Sequence, residues 1–357
     1  MRAWEANFRK VEPYTPGEQP KNPRVIKLNT NENPYPPSPA AAEVLRSMDP
    51  SILRKYPDPD SSLLRDAIAE YCGISPDRVF VGVGSDDVLG MAFLTFFNGP
   101  KPVLFPNITY SFYDVWADLF RVPYETQPLD KDFRIVPEDY MKPNGGIVIA
   151  NPNAPTSRAI AVSDIERIAA ANPDSVVIVD EAYVAFEENY ESAVSLIGKY
   201  DNICVIRTLS KAFSLAGIRL GYAVGSEELI EGLKRARDSF NSYPVDRLAQ
   251  TVAEAALLDV DYYNETRAKI IATRERAAKE LKESGFTMPP SSANFLYAKP
   301  PVDCGTLYQN LRNKGILVRY FNKPVLNEYL RITIGTDEEM AELIKAIKEE
   351  VQNAENS

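Results

Sequence analysis

The sequence predicts an α/β fold, in which a large domain on a mostly parallel sheet is joined to a smaller α+β domain. Two observations carry this expectation. Between about residues 75 and 240, short runs rich in Val and Ile alternate with helical patterns, as strands buried on both faces do. The 357 residues also exceed what one hydrophobic core usually organises, while an apolar content of 45% suffices for two.

Taken in order, residues 1–37 hold several prolines and the polar string Leu28-Asn29-Thr30-Asn31-Glu32-Asn33-Pro34, and read as an extended N-terminal arm and loop. Ser38 then supplies an N-cap and Pro39 a first-turn proline for the apolar-periodic AAAEVLRSM. A second helix, about Ser62 to Tyr71, stops at Gly73. The alternating block follows: RVFVGVG with DDVLGMAFLTFF, PVLF with SFYDVWADLF, GIVIA with SDIERIAAA, then VVIVDEAY, NICVIRTLSK and RLGYAVG. Residues 38–240 thus form the expected large domain. From about Val245 to Ser284 a charged, periodic stretch reads as two bridging helices, with a break between Asp259 and Asp261. ANFLYAK, TLYQNLRNKG, ILVRYF, YLRITIG and a closing amphipathic helix complete a small C-terminal α+β domain, so that 241–357 hold the bridge and this unit.

Composition narrows the chemistry. With 50 acidic and 40 basic residues the formal charge is -10, which gives no reason to expect nucleic acid or an anionic membrane as partner; small molecules are expected instead. Cys72, Cys204 and Cys304 are odd in number and widely spaced, against both a disulfide framework and a thiolate metal site. No leader pattern and no run of membrane-spanning length is seen, so a cytoplasmic protein is expected. There is no histidine. That excludes Ser-His-Asp hydrolysis, Cys-His nucleophiles and histidine-ligated zinc, and leaves proton chemistry to Lys, Tyr, Cys, carboxylates or a cofactor.

Several segments fall at or near the C-terminal ends of expected strands, where ligands of open α/β sheets gather. Gly82-Val83-Gly84-Ser85-Asp86-Asp87 is a glycine turn before a helix, able to offer backbone N–H groups to a phosphate or simply to connect strand and helix. Asp180-Glu181-Ala182-Tyr183 ends a buried run; its first carboxylate needs a cationic partner, a cap or a structural ion pair. Thr208-Leu209-Ser210-Lys211 through Arg219 is more specific. It sets two hydroxyls before a lysine and an arginine eight residues after it, a set that suits a phosphate and a Schiff-base amine.

These segments, together with LNTNENPYP, KYPDP, NPNAPT, SANF and LRITIGT in the same order, resemble the fold-type I pyridoxal-phosphate-dependent aminotransferases over essentially the whole chain, and within them the branch acting on histidinol phosphate. The resemblance implies an aspartate-aminotransferase-like fold and pyridoxal 5'-phosphate carried on Lys211. It implies that Lys211 shuttles the proton, that Asp180 pairs with the pyridine nitrogen, and that Tyr183 bonds the phenolic oxygen. Tyr110 would stack on the ring. Ser85, Asp86, Thr208, Ser210 and Arg219 would gather round the phosphate, with Tyr56 reaching the neighbouring subunit's site in a homodimer. Tyr14, Arg319 and Arg331 would bind the anionic end of the substrate. The implied reaction is exchange of an amino group between L-histidinol phosphate and 2-oxoglutarate, giving imidazole-acetol phosphate and L-glutamate in histidine biosynthesis. An aromatic amino-acid aminotransferase, a threonine-phosphate decarboxylase or a non-catalytic cofactor-binding protein are the alternatives on this scaffold. One departure stands out: the family's Asn before Pro-Thr-Gly, a partner of the phenolic oxygen, is here Ala154 in NPNAPTS.

Overall fold

The computed structural model describes residues 2–22, 24–189 and 191–356. Its strands are β1 (Ile26–Leu28), β2 (Val79–Gly82), β3 (Val103–Pro106), β4 (Tyr124–Gln127), β5 (Gly146–Ala150), β6 (Val177–Asp180), β7 (Ile203–Thr208), β8 (Gly221–Val224), β9 (Phe295–Ala298), β10 (Ile316–Tyr320) and β11 (Leu330–Thr333). Its helices are α1 (Pro39–Ser47), α2 (Ser62–Cys72), α3 (Ser85–Phe96), α4 (Tyr113–Phe120), α5 (Val162–Ala171), α6 (Glu227–Phe240), α7 (Arg247–Leu258), α8 (Val260–Glu283), α9 (Cys304–Asn313) and α10 (Asp337–Glu355).

Seven strands form one sheet in the order β2-β8-β7-β6-β5-β3-β4. The pairs from β4 through β7 are parallel, and β8 runs antiparallel to both its neighbours. The Val/Ile runs explain the layering. Ile147, Ile149, Val177, Val179, Ile203 and Val205 enter one core, beneath side chains of α2, α5 and α7. Their alternates Val148, Ile178, Cys204 and Ile206 enter the core on the other face, with α3, α4 and α6. Strands covered on both faces have no polar side, hence the continuous apolar runs. The connection from β7 to β8, residues 209–220, carries no α-helix, only the 3-10 turn Ala216–Ile218, and β8 returns antiparallel. Everything in that connection stays at the C-terminal edge of the parallel strands.

The second sheet has the order β1-β10-β11-β9. Its outer strand β1 lies in the segment read from sequence as an extended arm, and pairs in parallel with β10. Three residues are too few to show a period, and their pairing partner lies almost the full chain away. The helices α7 and α8 meet at Asp259, and α8 contributes Tyr263, Ile270, Ala277 and Leu281 to the core under the second sheet.

Strand alternation also parts the polar residues at the ends of β6 and β7. Asp180 and Thr208 take one face; Glu181 and Arg207 take the other, where they form a buried ion pair (Arg207 Nε to Glu181 Oε2 2.9 Å). Ser192 Oγ and the Ala193 N–H also donate to the Glu181 carboxylate, at 2.7 Å each. Breaking a satisfied buried pair leaves one charge without water or partner. Arg207→Met should therefore lower unfolding stability by about 3–5 kcal/mol, measured by chemical denaturation, and adding Glu181→Gln should restore part of the loss.

Candidate active site

The C-terminal ends of β5, β6 and β7, the 209–220 connection, the polar string 29–32 and two arginines of the second sheet enclose a cavity of about 290 Å³. One end is built for an anion. Helix α3 begins after Gly84, whose φ of 86° favours glycine, and no side chain caps it. A Cβ on Gly84 would lie 2.7 Å from Arg219 Nη2, and one on Gly221 would lie 2.3 Å from the Ser85 nitrogen. These two glycines let the helix start, the guanidinium and β8 close on one point. The Thr208 and Ser210 hydroxyls meet at 2.9 Å beside it, while among the described residues Arg219 has only Asp86, at 3.8 Å, as a counter-charge. Helix N–H groups, hydroxyls and a guanidinium in one place suit a phosphate.

Asp180 lies deeper. Its carboxylate accepts from the Tyr113 hydroxyl (2.8 Å) and the Ala182 N–H (3.2 Å), and no cationic side chain among the described residues pairs with it. Burial pushes this carboxyl up to about 6 in spite of those two hydrogen bonds. Lys211 Nζ stands 3.3 Å from the Thr30 carbonyl oxygen and 5.6 Å from the Tyr183 ring centre. Tyr110 donates to Asp86 Oδ1 at 2.9 Å and packs edge-on against Tyr113.

Arg319 and Arg331 form the far end. They sit directly opposite one another on β10 and β11, so two like charges share one face of the sheet. Such a pair is unfavourable unless an anion is meant to lie between or beside it. Arg331 is half-buried; it donates to the Asn29 carbonyl at 2.9 Å, while its Nε, shut off from solvent, finds no partner among the described residues. Burial lowers the pKa of its guanidinium, and Arg319 acts in the same direction. Arg319 spends its donors on the carbonyls of Thr15 (2.8 Å) and Pro16 (3.2 Å), which pins the arm over the cavity. Tyr14, in that arm, stacks on Phe112 at 4.4 Å.

The cavity thus gathers the site residues expected from sequence, with one exception. Tyr56 lies outside it, 77% exposed and stacked on Tyr243. Sequence reasoning missed Asn31, Thr30 and Tyr113. The string 29–32 is marked only as polar and proline-bounded, and Tyr113 is one aromatic in an aromatic-rich segment. Neither asparagine near Ala154 turns inward. Asn153 is held by Ile108, Thr109 and Thr156, and Asn151 by Ile160.

The model of the family "Aminotransferase class I and II" matches residues 23–347. The chain belongs to this family. As an aminotransferase of class I and II it is 49% identical over 355 residues to the histidinol-phosphate aminotransferase of Acinetobacter baumannii (strain SDF), covering 98% of each chain. It is 50% identical over 347 residues to that of Clostridium acetobutylicum, covering 97% of this chain and 98% of the relative. Among solved structures, the histidinol-phosphate aminotransferase of Sinorhizobium meliloti in complex with pyridoxal-5'-phosphate matches with a TM-score of 0.84 at 27% identity, over 92% of this chain and 91% of that one. The aspartate aminotransferase of Thermotoga maritima (TM-score 0.79, 22% identity, 92% of each chain) shares the fold.

The raised carboxyl of Asp180 has a measurable consequence. Its ordinary value of 3.8 and folded value of about 6 mean that the folded protein holds this proton more tightly, so rising pH through that window destabilises the ligand-free protein. Asp180→Asn removes the penalty. Its stability relative to the parent, both freed of bound ligand, should climb between about pH 4 and 6 to a plateau of about 3 kcal/mol, read from denaturation curves at each pH.

Proposed function

We propose that this aminotransferase exchanges an amino group between L-histidinol phosphate and 2-oxoglutarate, with pyridoxal 5'-phosphate held on Lys211. The observation that carries the reading is the order of charges along one cavity. An anion cradle, a buried carboxylate lacking a cation, a lysine amine and an arginine pair follow one another, as a phosphorylated pyridine cofactor and an anionic substrate require. The name shared by the relatives near 50% identity supports the substrate.

The residues present fit the cofactor. Ser85, Asp86, Thr208, Ser210 and Arg219 would hold its phosphate, mainly through backbone N–H groups in the first two. Asp180 would hold a proton on the ring nitrogen, which explains a carboxylate kept dry and unpaired. Tyr183 would donate to the phenolic oxygen, and Tyr110 would cover the ring face. When bound, pyridoxal phosphate supplies an electron sink for charge developing at the substrate α-carbon.

Lys211 then acts as the base. Its amine removes the proton from the α-carbon and returns it to the carbon that receives or gives up the nitrogen. No histidine is available for the task, and Lys211 lines the same cavity as Asp180, Tyr183 and Arg331. Arg331, with Arg319 and Tyr14, holds the anionic end of the substrate and fixes which face of the α-carbon meets Lys211. The arm over the cavity limits water. In this reading the working form is a homodimer in the cytoplasm, the exposed Tyr56 reaching the neighbouring subunit's site.

Substrate profiling tests the proposal. With 2-oxoglutarate as acceptor, kcat/KM for L-histidinol phosphate should exceed that for phenylalanine or tyrosine by about 10²-fold, since only the former places a phosphate among the site's cations. A preference for aromatic amino acids would refute the substrate assignment. Carbon dioxide release from threonine phosphate without any acceptor would refute the reaction type. Lys211→Ala should lower turnover by about 10²–10⁴-fold or more. Arg331→Lys, which keeps the charge and loses the planar donor pair, should lower kcat/KM by about 10- to 200-fold, mostly through KM.

A further inference from the structure

Asn31 is a buried residue, 1% exposed, in the left-handed backbone region (φ 54°). It joins the polar string to the second sheet. Its backbone N–H donates to Thr333 Oγ1 on β11 at 2.9 Å, and Asn294 Nδ2 donates to its carbonyl at 3.1 Å. The Thr333 hydroxyl, having accepted from that N–H, donates its own proton to Asn31 Oδ1 at 3.1 Å. The side-chain amide thus presents its Oδ1 to Thr333. With Oδ1 toward Thr333, the NH₂ group must face Tyr183, whose phenolic oxygen accepts from it at 3.0 Å.

A phenolic oxygen that accepts from an amide must send its own proton elsewhere. Phe295 meets the Tyr183 ring edge-on, Ala154 packs against it without any polar atom, and no described residue accepts its proton. The direction left is the cavity, which Asn31, Ala154 and Tyr183 all line. We infer that Asn31 is a positioning residue: through the chain Thr333–Asn31–Tyr183 it turns the Tyr183 hydroxyl into an obligate donor toward the phenolic oxygen of the bound cofactor. The inference rests on the assignment of Tyr183 proposed above. It gives the second sheet a hand in tuning the cofactor, at a cavity wall where Ala154 offers no hydrogen bond.

The test is the pH midpoint of the visible absorption of the holoenzyme, without substrate. A hydrogen bond to the phenolic oxygen stabilises its anionic form and favours loss of the proton shared with the lysine nitrogen, so losing the bond moves the midpoint up. The charged groups facing Tyr183 are Lys211 and Arg331, with the phenols of Tyr110 and Tyr113, and the substitutions leave all of them in place. Tyr183→Phe should raise the midpoint by about one unit or more, roughly tenfold in the protonation equilibrium. Asn31→Gly, chosen because glycine accepts the positive φ, should raise it by about half a unit or more, and by nearly nothing in the Tyr183→Phe background. Thr333→Val, which frees the amide to turn, should shift it the same way by less, again only with Tyr183 present.

If Tyr183→Phe moves the midpoint and Asn31→Gly does not, or if Asn31→Gly moves it equally in both backgrounds, the positioning role is wrong. If Tyr183→Phe itself moves nothing, the assignment of Tyr183 fails, and the inference falls with it. Thermal melting of each variant reports folding; should Asn31→Gly not fold, an unshifted midpoint in Thr333→Val overturns the proposal.

Discussion

The site depends on a constraint of chain path, the return from β7 to β8 through residues 209–220. A parallel strand normally leaves its sheet through a helix that carries the chain back to the opposite edge. Here the connection carries only the 3-10 turn Ala216–Ile218, and β8 comes back antiparallel. Ser210, Lys211 and Arg219 are thereby held at the edge where β5, β6 and β7 end, and where Asp180 and the uncapped start of α3 already stand. The tight fits of Gly84 against Arg219 and Gly221 against Ser85 follow from the same crowding.

Charge is then arranged against the protein's own stability. Among the described residues Asp180 is buried without a cation and the half-buried Arg331 has an unpartnered Nε, and Arg319 faces Arg331 across the strand pair. One residue along the chain the opposite policy holds, since Glu181 is paired with Arg207 and further held by Ser192 and the Ala193 N–H on the far face of the sheet. Alternation of side chains along a strand makes both possible at adjacent positions. The contrast separates function from structure more sharply than burial alone, because both carboxylates are buried and, among the described residues, only Glu181 has a cationic partner.

Much of this was legible in the sequence. The Val/Ile runs named the parallel sheet, and Lys211 with its hydroxyls and Arg219 form a local cluster whose chemistry needs no tertiary information. Arg331 is named only through the family resemblance, whereas Asp180 could be nominated because a carboxylate ending a buried apolar run is costly without a reason. Asn31 and Tyr113 could not. Each acts through partners distant in sequence, Asn31 through Tyr183 and Thr333, Tyr113 through Asp180. Their residue types are equally at home in any loop or aromatic core. The strand β1 was hidden for the same reason, three residues paired with a strand from the opposite end of the chain.

The uncompensated groups have one more consequence, which ties binding to folding. A ligand that brings an anion to the α3 cradle, a cation to Asp180 and another anion to Arg331 removes three separate penalties at once, and each removal is free energy gained only in the folded state. By mass action such a ligand stabilises the native protein in proportion to the logarithm of its concentration over Kd. The free protein should therefore be loosest where the cavity draws on several elements, at the arm pinned by Arg319 and the 209–220 connection. The Thr333–Asn31–Tyr183 chain runs counter to this, since the hydrogen bonds that orient the Tyr183 hydroxyl are made within the protein. It keeps one wall of the cavity set in advance, so that binding has to order the arm but not the donor that meets the cofactor.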